Sequence, residues 1–225
     1  MTSPTATPET QATKSAEDHA QTFLDWTKVN SKALTAGAVV VLVAAGGFWF
    51  YQRSQQIQAA NAQKALLNAK QSLSSGNVQL AQTDLQSVYA RYGSTEAGVE
   101  AAMLLAQVSY DAGKPQDGIT MLDKVAGTNA GSTVLGTIRN LEGDGYSQMG
   151  KLSDAAKQYE AAAAATTLDD EKAFYEAKAA RTYQASGDTA KARQIWTSLA
   201  NSPSGSMVTE AKVRLGELEA QPVKK

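Results

Sequence analysis

The sequence contains no cysteine. That one absence removes disulfides, thiolate chemistry, zinc–thiolate sites and a lipid-modified cysteine together. It fits either side of a membrane and so locates nothing. Histidine is nearly missing too. His19 is the only one, in a polar N-terminal stretch, and reads as a solvated helix residue rather than a ligand or a base. Charge of one sign is not in excess: 21 basic residues face 22 acidic ones, for a formal net charge of −1. Electrostatic capture of nucleic acid is therefore not expected. No paired carboxylates with a partner base, no nucleophile with a histidine and no phosphate-binding loop can be found. No catalytic residue, cofactor or bound metal is expected, and the chain does not read as an enzyme.

Two short stretches imitate sites. Gly143-Asp144-Gly145 looks like part of a calcium or phosphate loop, but it falls inside a helical period and reads as packing. Asp169-Asp170-Glu171 looks like a metal cluster, yet acidic residues at a helix start complement its dipole. Ala161 to Ala165 is a helix former with nothing else implied.

What the chain does have is one long apolar run. Ala33 to Tyr51 carries no charge over 19 residues, and its only hydroxyls are Thr35 and Tyr51. At about 1.5 Å per residue a helix of that length reaches roughly 28 Å, close to the hydrocarbon thickness of a bilayer. A cleavable signal peptide would share the small residues Ala44-Ala45-Gly46. Against cleavage, the segment before the run is long and the run continues into Phe48, Trp49, Phe50 and Tyr51, which suit an interfacial aromatic belt. A retained single span over residues 32–52 is the expectation. Lys28 and Lys32 before it, against Arg53 alone after it, favour a cytoplasmic N-terminus and a periplasmic C-terminal domain at a bacterial inner membrane.

Before the span, residues 1–14 are rich in Thr, Pro and Ser with no apolar period and read as a disordered arm. Over residues 15–31, Ser15 and Asp18 form a capping-box-like start, and Ala16, Ala20, Phe23, Leu24 and Thr27 share one face. This juxtamembrane amphipathic helix either lies in the membrane interface or extends the spanning helix.

Beyond the span the chain repeats itself. Gly76, Gly113, Gly150 and Gly187 stand 37 residues apart, each in a turn-like triplet such as Ser75-Gly76-Asn77 or Met149-Gly150-Lys151. A fixed period of this size marks a solenoid. Five residues after each glycine the side chain is small (Ala81, Gly118, Ala155, Ala192). Nine after, it is large (Leu85, Leu122, Tyr159, Trp196). Seven before, it is small again (Ala69, Ala106, Gly143, Ala180), and four before come Ser72, Ser109, Tyr146 and Tyr183. Small residues let helices approach, and large ones fill the space beside them. Each glycine supplies a left-handed backbone at a helix C-terminus.

The expected helices follow. The first runs from Tyr51 or Arg53 to Ser74, with neither Pro nor Gly to separate it from the span, and pairs with Val78 to Tyr92. Then come Thr95 to Ala112 with Pro115 to Val125, Thr133 to Met149 with Ser153 to Ala165, and Asp169 to Ser186 with Thr189 to Ala200. Ser206 to Glu219 caps the open end. The fold class is thus all-α, a spanning helix followed by a solenoid of four helix pairs over residues 53–219, with a flexible tail at 220–225.

This layout of small, aromatic, turn glycine, small and aromatic residues resembles the tetratricopeptide repeat. The resemblance implies antiparallel helix pairs stacked into an array that binds proteins, with the first helix of each pair lining the inner face. The period of 37 against about 34 implies longer inter-repeat loops, such as Gly127-Thr128-Asn129-Ala130. By the same resemblance, Glu100, Met103, Gln107, Tyr110 and Asp111 face inward in the second repeat, and Thr137, Asn140, Asp144, Ser147 and Gln148 in the third. In the fourth they are Phe174, Ala177, Arg181, Gln184 and Ala185. Met103, Gln107, Tyr110, Asn140, Asp144, Arg181 and Gln184 are the expected partner-binding set, a mixture of thioether, aromatic and amide groups suited to a polypeptide.

Anchor and array together resemble a narrower bacterial family, the single-pass ancillary subunit of the SecYEG translocon. The segments that carry this are Phe23-Leu24, Asn30 to Leu34, the glycine-bearing span and Trp49-Phe50-Tyr51. It implies a scaffold beside periplasmic chaperones and client polypeptides at the channel exit. The alternative is a structural accessory subunit of another large membrane protein complex, with Gly37, Ala44, Gly46 and Gly47 packed against a partner helix.

Overall fold

The computed structural model describes residues 31–127, 132–202 and 205–220. The expected arm, the juxtamembrane helix up to residue 30, most of the Gly127 loop and residues 221–225 lie outside the described residues. Helices account for nearly all of the rest, and no strand occurs among the described residues. They are α1 (Ser31–Ser74), α2 (Val78–Tyr92), α3 (Glu96–Asp111), α4 (Pro115–Ala126), α5 (Ser132–Gln148), α6 (Leu152–Ala165), α7 (Asp169–Ser186), α8 (Thr189–Ala200) and α9 (Val208–Ala220). From α2 onward their bounds lie within about two residues of those expected from spacing, and α1 takes in the expected span and the first array helix together. α3 starts where it does because Thr95 caps it, its hydroxyl accepting from the Gly98 amide at 3.1 Å. Pro115 opens α4, where its missing N–H costs nothing.

The chain divides into two units, residues 1–57 and 58–225. In the first, the described part is the N-terminal portion of α1. Val39 to Val43 and Phe48 to Tyr51 are all exposed there. By length and composition this helix is long and apolar enough to cross a membrane.

The second unit is built of helix hairpins, α1–α2, α3–α4, α5–α6 and α7–α8, closed by α9. From α2 onward each helix packs on the next, and α3 also packs on α5. Each hairpin turn is the same. Gly76, Gly113, Gly150 and Gly187 have φ of 79°, 71°, 73° and 88°, the only positive values among the described residues. In every case the amide after the glycine donates to the carbonyl four residues before it: Asn77 to Ser72 at 3.0 Å, Lys114 to Ser109 at 2.8 Å, Lys151 to Tyr146 at 3.0 Å and Asp188 to Tyr183 at 2.9 Å. This double-bonded αL cap satisfies carbonyls that the helix end would orphan, and only glycine enters it without a Cβ penalty.

Between the hairpin arms the small and large positions meet as their spacing requires. A Cβ on Gly143 would lie 2.4 Å from Cε1 of Tyr159, so the seven-before and nine-after positions touch. A Cβ on Gly118 would lie 2.9 Å from the Ala106 carbonyl oxygen and 2.4 Å from the Tyr110 ring. The buried core is continuous from hairpin to hairpin rather than central. One cluster joins Ala62, Leu66 and Ala69 of α1 to Leu85 and Val88 of α2 and to Ala101 and Leu105 of α3. A second runs through α3, α4 and α5, and a third through α6, α7, α8 and α9. Such nearest-neighbour burial is what makes a solenoid quasi-one-dimensional.

The first hairpin also explains why stacking stops there. Where later repeats bury Ala101, Ile138 and Tyr175, α1 has exposed Lys64. Where they bury Leu105, Glu142 and Ala179, it has exposed Asn68. A polar outer face is the mark of a terminal repeat.

Candidate functional site: the face of the first helices

Six residues before each turn glycine stand Lys70, Gln107, Asp144 and Arg181. Three of these are occupied by stitching neighbouring hairpins. Lys70 of α1 pairs with Glu100 of α3. Asp144 of α5 accepts from Lys178 Nζ of α7 at 2.6 Å and from the Tyr159 hydroxyl at 2.6 Å. Arg181 of α7 grips Glu210 of α9 with two bonds, Nε to Oε1 at 2.7 Å and Nη2 to Oε2 at 2.5 Å. That grip, reinforced by Arg214, holds the Glu210 carboxyl below its ordinary range. These pairs are partly exposed, so each stabilises by at most about 1 kcal/mol. Their value lies in fixing one hairpin against the next.

Lys178 is the centre of the largest group. It also donates to Asn140 Oδ1 at 2.6 Å, and its ammonium lies 4.4 Å from the Tyr159 ring centroid and 5.9 Å from that of Phe174. Spacing alone does not single it out, although one signal marks it. The other repeats place Leu67, Leu104 and Leu141 at its position, and a lysine in that column needs an acid opposite.

The expected partner-binding residues are thus divided. Tyr110 is buried in the α3–α5 core, and its hydroxyl donates to the Leu141 carbonyl at 2.9 Å. Burial, with Asp144, Glu142 and Asp123 nearby, pushes that phenol far up and keeps it neutral. It is a floor rather than a free side chain. Ala177 is buried as well. Met103 is half-buried against the same core. Asn140, Asp144 and Arg181 hold the bonds just described, and Gln184 is half-buried. Gln107, Asp111 and Gln148 are exposed and Ser147 is half-buried, and none of their side chains has a partner among the described residues. These four rim a cleft of about 410 Å³ between α3 and α5, floored by Tyr110 and Leu141 and bounded by Asp144. On α1, no atom beyond the adjoining residues and the helix's own backbone comes within 4 Å of where a Cβ on Gly37, Gly46 or Gly47 would stand, and Ala44 is exposed.

A second group escaped the spacing altogether. Glu142 has a fully buried side chain in a column whose other buried members, Leu105 and Ala179, are apolar. Its Oε2 accepts from Arg139 Nη1 at 2.6 Å, while Oε1 has no partner; Asp123 of α4 lies 3.9 Å from the same guanidinium nitrogen. Burial outweighs the Arg139 bond and pushes the carboxyl up from 4.5 to about 6. The folded chain therefore keeps a proton that the unfolded chain releases in that window. The contribution of Glu142 to stability is full below pH 4.5 and is lost as pH rises past 6. Glu142→Gln is expected to gain on the wild type by on the order of 1 kcal/mol between pH 4.5 and 7. Urea midpoints measured across that range check it, and parallel curves for the two proteins would refute it.

Comparison with protein families decides the class of this architecture. The model described as a tetratricopeptide repeat-like domain matches residues 25–139 and 63–179. The chain belongs to the tetratricopeptide repeat-like domain family. Solved structures agree on the fold. The nearly identical TPR-like repeats attributed to a kinesin light chain of Podosopora anserina align at 18% identity, covering 71% of this chain and 86% of that one, with a TM-score of 0.56. The MamA protein aligns at 16% identity over 70% and 86%, with a TM-score of 0.52. BtubC from P. vanneervenii aligns at 15% over 72% and 82%, with a TM-score of 0.53. At such identities these show the tetratricopeptide-like fold alone. A comparison with curated proteins found no match. Tetratricopeptide arrays are scaffolds for protein–protein interaction and are typically not catalytic.

Proposed function

We propose that this tetratricopeptide protein is a membrane-tethered scaffold, an ancillary subunit or chaperone adaptor at the secretion translocon. Residues 32–52 are its span in a bacterial inner membrane, with the N-terminus cytoplasmic and the array of residues 53–219 periplasmic. The observation that carries the reading is the combination in one chain of an apolar helix segment with Val39 to Val43 and Phe48 to Tyr51 exposed and an array whose α3–α5 cleft is rimmed by polar groups without partners among the described residues. The tether confines the array to a thin layer at the membrane, which raises its effective concentration toward a membrane partner well above what the free domain would have. The cleft then holds a chaperone or client polypeptide, and its open amides and hydroxyl exchange their water for the partner's main chain.

Open space about Gly37, Gly46 and Gly47 favours a second reading, in which these residues and Ala44 pack on a partner helix of another large membrane complex. The two readings separate by what is captured. A photo-crosslinking residue at Gln148 of the full chain should trap translocon-associated or client proteins in native membranes, and one at Lys157, on the α6 surface, should not. Equal trapping at both positions would remove the cleft from the argument. Recovery at fixed stoichiometry of a different complex, through a crosslinker at Gly37, would favour the second reading. Gly205→Cys should react with an impermeant thiol reagent in intact spheroplasts, and labelling only after lysis would reverse the topology.

A further inference from the structure

The α3–α5 cleft differs from the rest of this face in one respect that bears on what enters it. Three acids along this face are paired: Glu100 with Lys70, Asp144 with Lys178, and Glu210 of α9 with Arg181 and Arg214. Asp111 is not. It stands exposed at the C-terminal end of α3, where the helix dipole already places negative potential, and no cation among the described residues lies against it. Asp144 bounds the cleft on the other side with its Oδ1 shared between Lys178 and Tyr159. No basic residue lines the cleft, and the remaining rim groups, Gln107, Ser147 and Gln148, offer carbonyl or hydroxyl oxygens that accept hydrogen bonds. The floor is an aromatic ring and a leucine, with the Tyr110 hydroxyl already turned away to the Leu141 carbonyl. An aliphatic stem over such a floor, ending in a cation at a rim that holds a free carboxylate and further hydrogen-bond acceptors, is how a lysine or arginine side chain buries itself.

We infer that the α3–α5 cleft is a cation-accepting subsite, which takes a lysine or arginine side chain of an extended partner polypeptide with Asp111 as its counter-charge. The inference rests on the scaffold reading above and narrows it to partners with a basic residue in the bound segment. Anionic and purely apolar segments are disfavoured, because the first meets the unpaired Asp111 and the second leaves the rim polar groups unpaired. The neighbouring Lys178 does not reverse this, since its ammonium is spent on Asn140 and Asp144.

The experiment uses the full chain in detergent micelles and a fluorescein-labelled nonapeptide of glycine, serine and leucine with one central lysine. Matched peptides carry glutamate or norleucine at the centre. Fluorescence anisotropy should show the lysine peptide binding about fivefold more tightly than the norleucine one and more tightly still than the glutamate one. That margin should shrink as salt is raised toward 1 M, where screening extends only about 3 Å. Asp111→Asn, at an exposed position without partners, should abolish the margin while leaving thermal unfolding unchanged. Asp111→Lys should invert the order of the lysine and glutamate peptides. Equal binding of all three peptides, competed away by Gln148→Trp, would overturn the cation subsite and leave the cleft as a binding site. Binding untouched by Gln148→Trp would overturn both. An unchanged margin in Asp111→Asn would remove Asp111 from the role.

Discussion

Trp196→Ala should cost the array about 3–5 kcal/mol, the largest loss expected of any single substitution here. The indole is fully buried, nine residues after Gly187, and it shares a cluster with Tyr183 and Ala180 of α7, Leu199 of α8 and Ala211 and Leu218 of α9. A solenoid transmits such a loss to its neighbours, so α9 should detach first and amide exchange should rise there before α3 or α5. Trp196→Phe sharpens the argument. The indole nitrogen is buried without a hydrogen-bond partner, so phenylalanine keeps most of the apolar contact and gives up a polar group that has none. It should lose distinctly less than alanine. Urea unfolding of the three proteins decides this, and an alanine variant within 1 kcal/mol of wild type would mean that the position is not core.

Gly143→Ala should destabilise by about 1–3 kcal/mol, against the direction that helix propensity alone dictates. Alanine in a helix interior gains about 1 kcal/mol over glycine, but here the new Cβ would stand 2.4 Å from Cε1 and 2.6 Å from Cδ1 of Tyr159. The ring cannot simply swing aside, since its hydroxyl is bound to Asp144 and its face lies under the Lys178 ammonium. Overpacking therefore wins. Gly216 supplies the contrast within the same chain: it is exposed on α9 with nothing within 4 Å of a Cβ, so Gly216→Ala should gain rather than lose. Combining Gly143→Ala with Tyr159→Leu should recover part of the cost, a coupling that non-contacting residues would not show. Additive losses in the double variant would break the pairing of the two positions.

The repeat was legible because its determinants are local. A glycine that must adopt positive φ, and small and large residues at constant offsets from it, follow from the hairpin itself and recur at Gly76, Gly113, Gly150 and Gly187. The face of the first helices was legible only as a set of positions. Whether Asp144 or Arg181 is free or spent depends on which side chain the next hairpin brings opposite, and Lys178 and Glu210 lie 34 and 29 residues away in sequence. Tyr110 shows the same limit from another side. Its inward offset is real, but the close approach of α5 at Gly145, where a Cβ would meet the Tyr110 hydroxyl at 2.6 Å, turns it from a contact residue into a floor. Glu142 was invisible because a carboxylate at a half-polar helix position carries no mark of the burial that its neighbours impose.

The stitches between hairpins make the order of the repeats part of the code. Lys70 meets an acid in the following hairpin, Asp144 a lysine and Arg181 an acid. Hairpins that were interchangeable in shape would not be so in charge. Grafted after the third hairpin, the second would carry Glu100 toward Asp144 and set two carboxylates face to face. A chain of near-identical modules is exposed to slipped or swapped assembly, within itself or with a second copy, and here the sign of each of these three stitches rejects the wrong neighbour.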